Sequence, residues 1–185
     1  MLTRLTQPRW RCLLGALLLL SACSGSEQLA VQQPVTPAEV NAFLEEVLDT
    51  APALSYRDLV ERFGPPIRVK LEPAAPPNAA TPPDTLRTLI YLGLELTLTE
   101  SATSVASPPT RVALTDARYT SPEGLRVGYA ESQVLRTLGR PTQREPTRLI
   151  YEKTDPQRCV LVVFLERRSV SRLEWRFNGH ESMGN

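Results

Sequence analysis

One pattern occurs twice in this chain, and it limits the folds open to it. Leu59-Val60-Glu61-Arg62-Phe63-Gly64-Pro65-Pro66 is echoed 75 positions later by Val134-Leu135-Arg136-Thr137-Leu138-Gly139-Arg140-Pro141. Each run is an apolar helix end, a glycine able to take a left-handed cap, and a proline that forbids continuation. Leu89-Ile90-Tyr91 returns 60 positions on as Leu149-Ile150-Tyr151, and two strand-like runs follow each copy. The fifteen residues missing from the second interval correspond to a proline-rich stretch found only in the first. Two landmarks in the same order imply a duplicated helix-plus-strands unit.

The local patterns fill in the elements. Thr36-Pro37-Ala38-Glu39 carries a capping residue, a proline suited to the first helical position and an acid three residues after the cap. Val40, Phe43, Leu44, Val47 and Leu48 then recur at helical spacing. A second short helix is expected from Ser55, with Asp58 completing its capping box and Gly64 ending it. Ile67–Leu71 has strand character. Pro73–Pro83 is rich in proline and alanine and reads as an exposed loop, since proline has no N–H to give to a sheet interior. Strands are expected at Thr85–Leu92, Leu94–Thr99 and Arg111–Asp116, with Gly93 as the tight connection. In the second copy the strand runs are Cys159–Leu165 and Ser169–Phe177. Cys159–Leu165 is apolar on both faces, so it is expected to be central and covered twice, by its own helix and by the other copy or a partner. Leu173, Trp175 and Phe177 alternate with Arg172, Glu174 and Arg176, predicting one wet face.

The fold class is thus α+β: two tandem helix-plus-antiparallel-sheet units, over 36–120 and 121–178, before a polar tail at 179–185. Neither a short helix nor a small hairpin buries enough apolar surface alone, and packing one on the other solves both problems.

The first 22 residues are read separately. Arg4, Arg9 and Arg11 precede an apolar run, Leu13–Leu20. It is roughly eight residues long, where a membrane span needs about twenty, so it has the form of a secretory signal. Leu20-Ser21-Ala22-Cys23 follows. It resembles the lipobox of bacterial lipoproteins, which implies cleavage before Cys23 and acylation of that cysteine. Several acyl chains on one residue would make the anchor stable. Ser24, in place of an aspartate, implies sorting to the outer membrane. Residues 23–35 then form a lipidated, flexible tether.

Without residues 1–22 the chain has 18 basic and 20 acidic residues, a formal balance of −2. Nothing in that balance provides the basic stripe of a nucleic-acid binder. Cys12 leaves with the signal and Cys23 carries lipid, so no internal disulfide is available. Cys159, inside an apolar run, is expected to be a buried core residue.

The stretch from Gly124 through Ser132 and Leu138-Gly139-Arg140-Pro141, followed by an aromatic-bearing strand and a hairpin, resembles the SmpA/OmlA group of small outer-membrane lipoproteins. The group's best-known member belongs to the β-barrel assembly machine, and the secreted β-lactamase inhibitory protein is similar in fold as a tandem of such units. The match covers Gly124–Phe177 well and Ser55–Asp116 loosely. It departs at Ala130, where the pattern favours a capping hydroxyl. The resemblance implies a periplasm-facing role in assembly or maintenance of outer-membrane proteins.

Residues for catalysis are few. His180 is the single histidine and lies in the tail; no phosphate loop, zinc spacing or calcium loop occurs. Glu45, Glu46 and Asp49 crowd one helix, which reads as a solvated acidic face. No catalytic residue, metal ligand or cofactor site is therefore assigned. Arg167, Arg168, Arg172 and Arg176 concentrate charge on the last hairpin, for contact with an acidic partner or lipid headgroups, or simply as a solvated edge. The function expected is a non-catalytic lipoprotein that binds an envelope protein, with a lipid-anchored contact to the membrane and no small-molecule substrate. The alternatives are an enzyme inhibitor or stress sensor and, further off, a hydrolase using carboxylates.

Overall fold

The computed structural model describes residues 35–74, 84–101, 104, 106–154 and 158–177. The signal segment, the lipobox residues Leu20, Ser21, Ala22 and Cys23, most of the Pro/Ala stretch and His180 lie outside the described residues.

Helix ends form where the capping chemistry put them. Helix α1 (Pro37–Thr50) opens on a reciprocal box: the Thr36 hydroxyl accepts from the Glu39 N–H at 3.3 Å, and the Glu39 carboxylate accepts from the Thr36 N–H at 2.9 Å. It turns Val40, Phe43, Leu44 and Val47 into the core. Helix α2 (Tyr56–Phe63) opens on the same device, Ser55 with Asp58. Helix α3 (Glu131–Leu138) has only half of it. Ala130 offers no hydroxyl, so the Gln133 carbonyl oxygen alone closes the box, accepting from the Ala130 N–H at 2.9 Å. Helices α2 and α3 stop at Gly64 (φ +74°, ψ −175°) and Gly139 (φ +77°, ψ −150°). The positive φ needs glycine, but this extended ψ is not the left-handed helical cap expected.

Eight strands follow: β1 (Arg68–Pro73), β2 (Thr85–Ile90), β3 (Leu94–Glu100), β4 (Pro109–Leu114), β5 (Gln143–Glu145), β6 (Arg148–Lys153), β7 (Cys159–Glu166) and β8 (Ser169–Phe177). All pairings are antiparallel, and the order is β1-β2-β3-β4-β8-β7-β6-β5 in one sheet. This corrects the two-tandem-unit architecture. Strands β4 and β8 pair from Arg111↔Arg176 to Leu114↔Leu173, so what should have been two small sheets is one. Each strand would otherwise expose unpaired N–H and C=O groups, and pairing satisfies both.

The sequence echo marks a recurring local arrangement inside this single sheet. The Tyr91 hydroxyl donates to the carbonyl of Gly64, and the Tyr151 hydroxyl to that of Gly139, both at 3.3 Å. Each ties a helix end to the strand downstream.

Proline sits where its missing N–H does no harm. Pro73 closes edge strand β1, and Pro109 opens β4 before the β8 pairing begins. Strand β5 had not been anticipated: Gln-Arg-Glu has no apolar alternation to read.

The register assigns the two faces. One row runs Leu89–Leu96–Val112–Trp175–Leu161–Tyr151 across six strands, and the next runs Leu94–Leu114–Leu173–Val163–Leu149. These side chains are buried and share one apolar cluster with Phe43, Leu44, Leu59, Phe63 and Val134 of the helices. The helices therefore cover this face. Phe43 and Phe63 meet edge to face at 5.1 Å, and Phe63 meets Tyr91 at 5.7 Å. Trp175, fully buried, lies mid-row on β8.

Candidate functional site

The opposite face carries Thr88–Thr97–Arg111–Arg176–Val160–Glu152 in one row and Ile90–Glu95–Ala113–Glu174–Val162–Ile150–Gln143 in the next. Among the described residues no helix contributes to this face. Strand β7 is interior to the sheet, as its apolar run implied; among the described residues no helix lies over its second face, where Val162 is nonetheless buried. Cys159, Leu161 and Val163 face the core, whereas Val160 and Phe164 remain half-buried on the open side.

This face is not uniformly wet either, which corrects the reading of β8. Glu174 is only 2% exposed. Its carboxylate accepts from Arg172 Nε at 2.9 Å and Arg176 Nε at 2.7 Å, while Arg172 Nη2 reaches Glu95 at 3.0 Å. Burial works against the Arg172 charge. The hydrogen bond to Glu95 and the charges of Glu174 and Glu95 outweigh it and hold the guanidinium above its ordinary pKa. Beside this network, the hydroxyls of Thr88 and Thr97 meet at 3.0 Å, and Arg111 Nε donates to Thr97 Oγ1 at 3.3 Å. The centre of the face is thus a fixed polar lattice of paired charges, flanked by Val160, Val162, Phe164 and Ile150. Such a surface presents shape, apolar area and directional donors.

The four arginines of the last hairpin divide into two pairs. Arg172 and Arg176 belong to the lattice. Arg167 and Arg168 form the β7–β8 turn with positive φ, 50° and 65°. Arg168 Nε donates to Glu131 at 3.1 Å, and Arg144 Nη2 reaches the same carboxylate at 2.5 Å. Sequence reading missed Glu131, because an acid in the first turn of a short helix reads as surface; it is 6% exposed. It missed Glu123 as well, whose carboxylate meets the Lys153 ammonium.

Glu45, Glu46 and Asp49 are exposed on α1, and Glu46 pairs with Arg62 at 2.6 Å. Among the described residues no group of three or more His, Cys, Asp or Glu stands close enough to hold a metal. Cys159 is buried, and burial pushes its thiol pKa up, away from the reactive thiolate. No described helix is long and apolar enough to cross a membrane. A groove of about 560 Å³ beside Gly139, Arg140 and Arg144, and another of about 480 Å³ beside Gly128 and Arg167, are open to solvent. No family model, curated protein or solved structure matches the chain.

Proposed function

We propose that this chain is a non-catalytic outer-membrane lipoprotein, held through lipid on Cys23, whose periplasmic body binds another envelope protein on the open face of its sheet. Assembly or maintenance of outer-membrane proteins is the process that the SmpA/OmlA resemblance suggests. The observation carrying the binding role is the side of β6, β7 and β8 that no described helix covers. Among the described residues, strand β7, with apolar residues on both faces, has a helix layer on only one of them. Val160, Phe164 and Ile150 stay half-exposed beside arginines already fixed by Glu174 and Glu95. Pre-ordered arginines lose little freedom on docking, and apolar side chains in a polar frame are the usual anatomy of a protein interface.

Two experiments test this. Metabolic labelling with a clickable palmitate analogue, comparing the natural chain with Cys23→Ser in separated membranes, tests the anchor. Label lost in the variant, with the natural chain in the outer membrane, supports it; an unlabelled natural chain sinks it. A photo-crosslinking residue at Val160 or Ile150, against one at Ser132 on α3, tests the face. A discrete adduct from the strand positions that disappears with Phe164→Glu supports docking there. Equal adducts from α3 overturn it. An adduct to a soluble periplasmic enzyme would instead favour the inhibitor reading.

A further inference from the structure

The eight-stranded sheet has two edges, and they differ. Strand β5 closes one side with three residues, too short to template another strand. Strand β1 closes the other with six, Arg68–Pro73. The Ala74 N–H donates to the Asp84 carbonyl at 2.7 Å, one step beyond the Pro73↔Thr85 end of the β1–β2 ladder. Bonded pairs alternate along an antiparallel ladder. Arg68, Lys70 and Glu72 therefore turn their backbone groups towards β2, while Val69 and Leu71 turn their N–H and C=O groups outward. Among the described residues nothing pairs with those outer groups.

The side chains of this edge sort by face. Val69 stands beside the buried Leu89 on the helix side. Leu71 stands beside Arg87, whose guanidinium lies 5.0 Å from the centre of the Tyr56 ring of α2. Leu71 is 59% exposed, more than any other large apolar side chain among the described residues. Arg68, Lys70 and Glu72 share the open face, and among the described residues none of them makes an ion pair. The edge thus alternates a bare apolar side chain with charges that nothing described compensates.

A second copy of β1 supplies what this edge lacks. Antiparallel self-pairing that keeps the two helix layers on one side sets odd residues against odd and even against even. Centred on Leu71, Lys70 faces Glu72 of the second copy, Glu72 faces its Lys70, and Val69 faces its Pro73. Centred on Lys70, two lysines oppose each other; centred on Val69, Arg68 opposes Lys70; centred on Glu72, two glutamates meet. Like charges directly opposite are destabilising, so the register about Leu71 is selected. In it the two leucines exchange N–H···O=C bonds, and each Val69 N–H reaches the opposite Pro73 carbonyl. Lysine and proline are the residues that ordinarily blunt an edge. Here Lys70 is neutralised, and the N–H that Pro73 lacks is missed only at the ends of the contact.

From these observations we infer that β1 pairs with β1 of a second copy, antiparallel about Leu71, joining two eight-stranded sheets into one. Both open faces then lie on the same side. The inference goes beyond the binding role of that face and holds whether or not the face has a partner. A strand of another protein could also use the outer backbone groups. The alternation of Lys and Glu that complements β1, however, is supplied by β1 itself.

The test uses the full lipidated chain in a non-ionic detergent of matched density, so that sedimentation equilibrium reads protein mass alone. Mass should rise from one chain towards two below about 1 mM, at the weak end of protein contacts. Lys70→Glu sets like charges together on both sides of the centre and should weaken association about ten-fold. Adding Glu72→Lys re-pairs them and should restore it. Leu71→Pro removes an outward N–H that β2 does not use, so it should abolish association and leave the urea midpoint of the dilute chain unchanged. Disulfides read the register in the envelope. Lys70→Cys chains expressed with Glu72→Cys chains should join each other and not themselves, because only facing positions, about 4.5 Å apart, lie within reach. A chain that stays single at about 1 mM, association indifferent to Leu71→Pro, or a double variant no better than Lys70→Glu each overturns the proposal. So does a Lys70→Cys chain that joins only itself, or one that joins a different envelope protein instead.

Discussion

Replacing Gly93 by alanine should cost more stability than the same change at any other described glycine. Gly93 turns β2 into β3 at φ +82°, and its carbonyl accepts from the Thr115 N–H at 2.9 Å. A Cβ built there would lie 2.3 Å from Asp116 Cβ and 2.9 Å from Tyr119 Cε2, closer than real carbons approach. Neither neighbour yields easily. Asp116 is held by the Arg118 N–H at 2.9 Å, and the buried Tyr119 hydroxyl donates to the carbonyls of Leu92 at 3.0 Å and Val35 at 3.2 Å. The positive φ contributes a loss of about 1–2 kcal/mol, and overpacking a further ~1–3 kcal/mol. The sum, about 3 kcal/mol, is a large fraction of a typical domain's stability of ~5–15 kcal/mol. With a urea slope near ~2 kcal/mol per M, the midpoint should fall by about 1.5 M. Gly124 supplies a matched control: it has the same φ of +82° and no atom within 4 Å of its built Cβ. Gly124→Ala should therefore lose only the ~1–2 kcal/mol backbone share. Equal losses at the two positions would refute the steric part of this reasoning, and a loss under about 1 kcal/mol at Gly93 would refute all of it.

Burial raises the hydroxyl pKa of Tyr91, Tyr119 and Tyr151 and the thiol pKa of Cys159. The folded chain then keeps protons that the unfolded chain gives up, so stability should be full below about pH 9 and decline from there upward. Urea midpoints that stay level from pH 8 to 11 would contradict this. At the acid end, backbone and hydroxyl donors from Thr36 and Ser55 lower the pKa of Glu39 and Asp58. Their contribution is present above the unfolded value near ~4 and is lost as pH falls, so a Glu39→Gln, Asp58→Asn double variant should show a shallower acid limb. Glu174→Gln removes the charge between Arg172 and Arg176 and should cost about 2 kcal/mol by urea unfolding. That is less than the ~3–5 kcal/mol of a wholly buried pair, because Arg176 is 40% exposed. Partial recovery by Arg176→Met in the Glu174→Gln background would identify the uncompensated cation as the cause, and no recovery would exclude it.

Local chemistry was legible in the sequence wherever its cause lies within a few residues. The Thr36–Glu39 and Ser55–Asp58 boxes and the apolar face of α1 formed as read; the helices do end at Gly64 and Gly139, though not in the left-handed cap, and Leu173, Trp175 and Phe177 do face the core, though Glu174 between them is buried rather than wet. Even the recurrence of Leu-Ile-Tyr had a local meaning, since each tyrosine reaches back to the carbonyl of its helix-ending glycine. Strand β5 escaped because three polar residues carry no periodicity; β6, in register beside them, recruits them by backbone pairing.

What tertiary structure alone decided was the joining of β4 to β8. Strand pairing depends on which edges come together, and backbone N–H and C=O groups carry no record of their partner in the side-chain sequence. That one pairing turned an expected pair of tandem units into a single sheet with helices on one face. It also set Glu95 of β3 across β4 from Arg172 and Glu174 of β8, making a paired-charge lattice out of residues 77 and more positions apart. The burial of Glu131 between Arg144 and Arg168 has the same origin. A carboxylate's surroundings are assembled from distant segments, and its own neighbours in sequence record only that it can cap a helix.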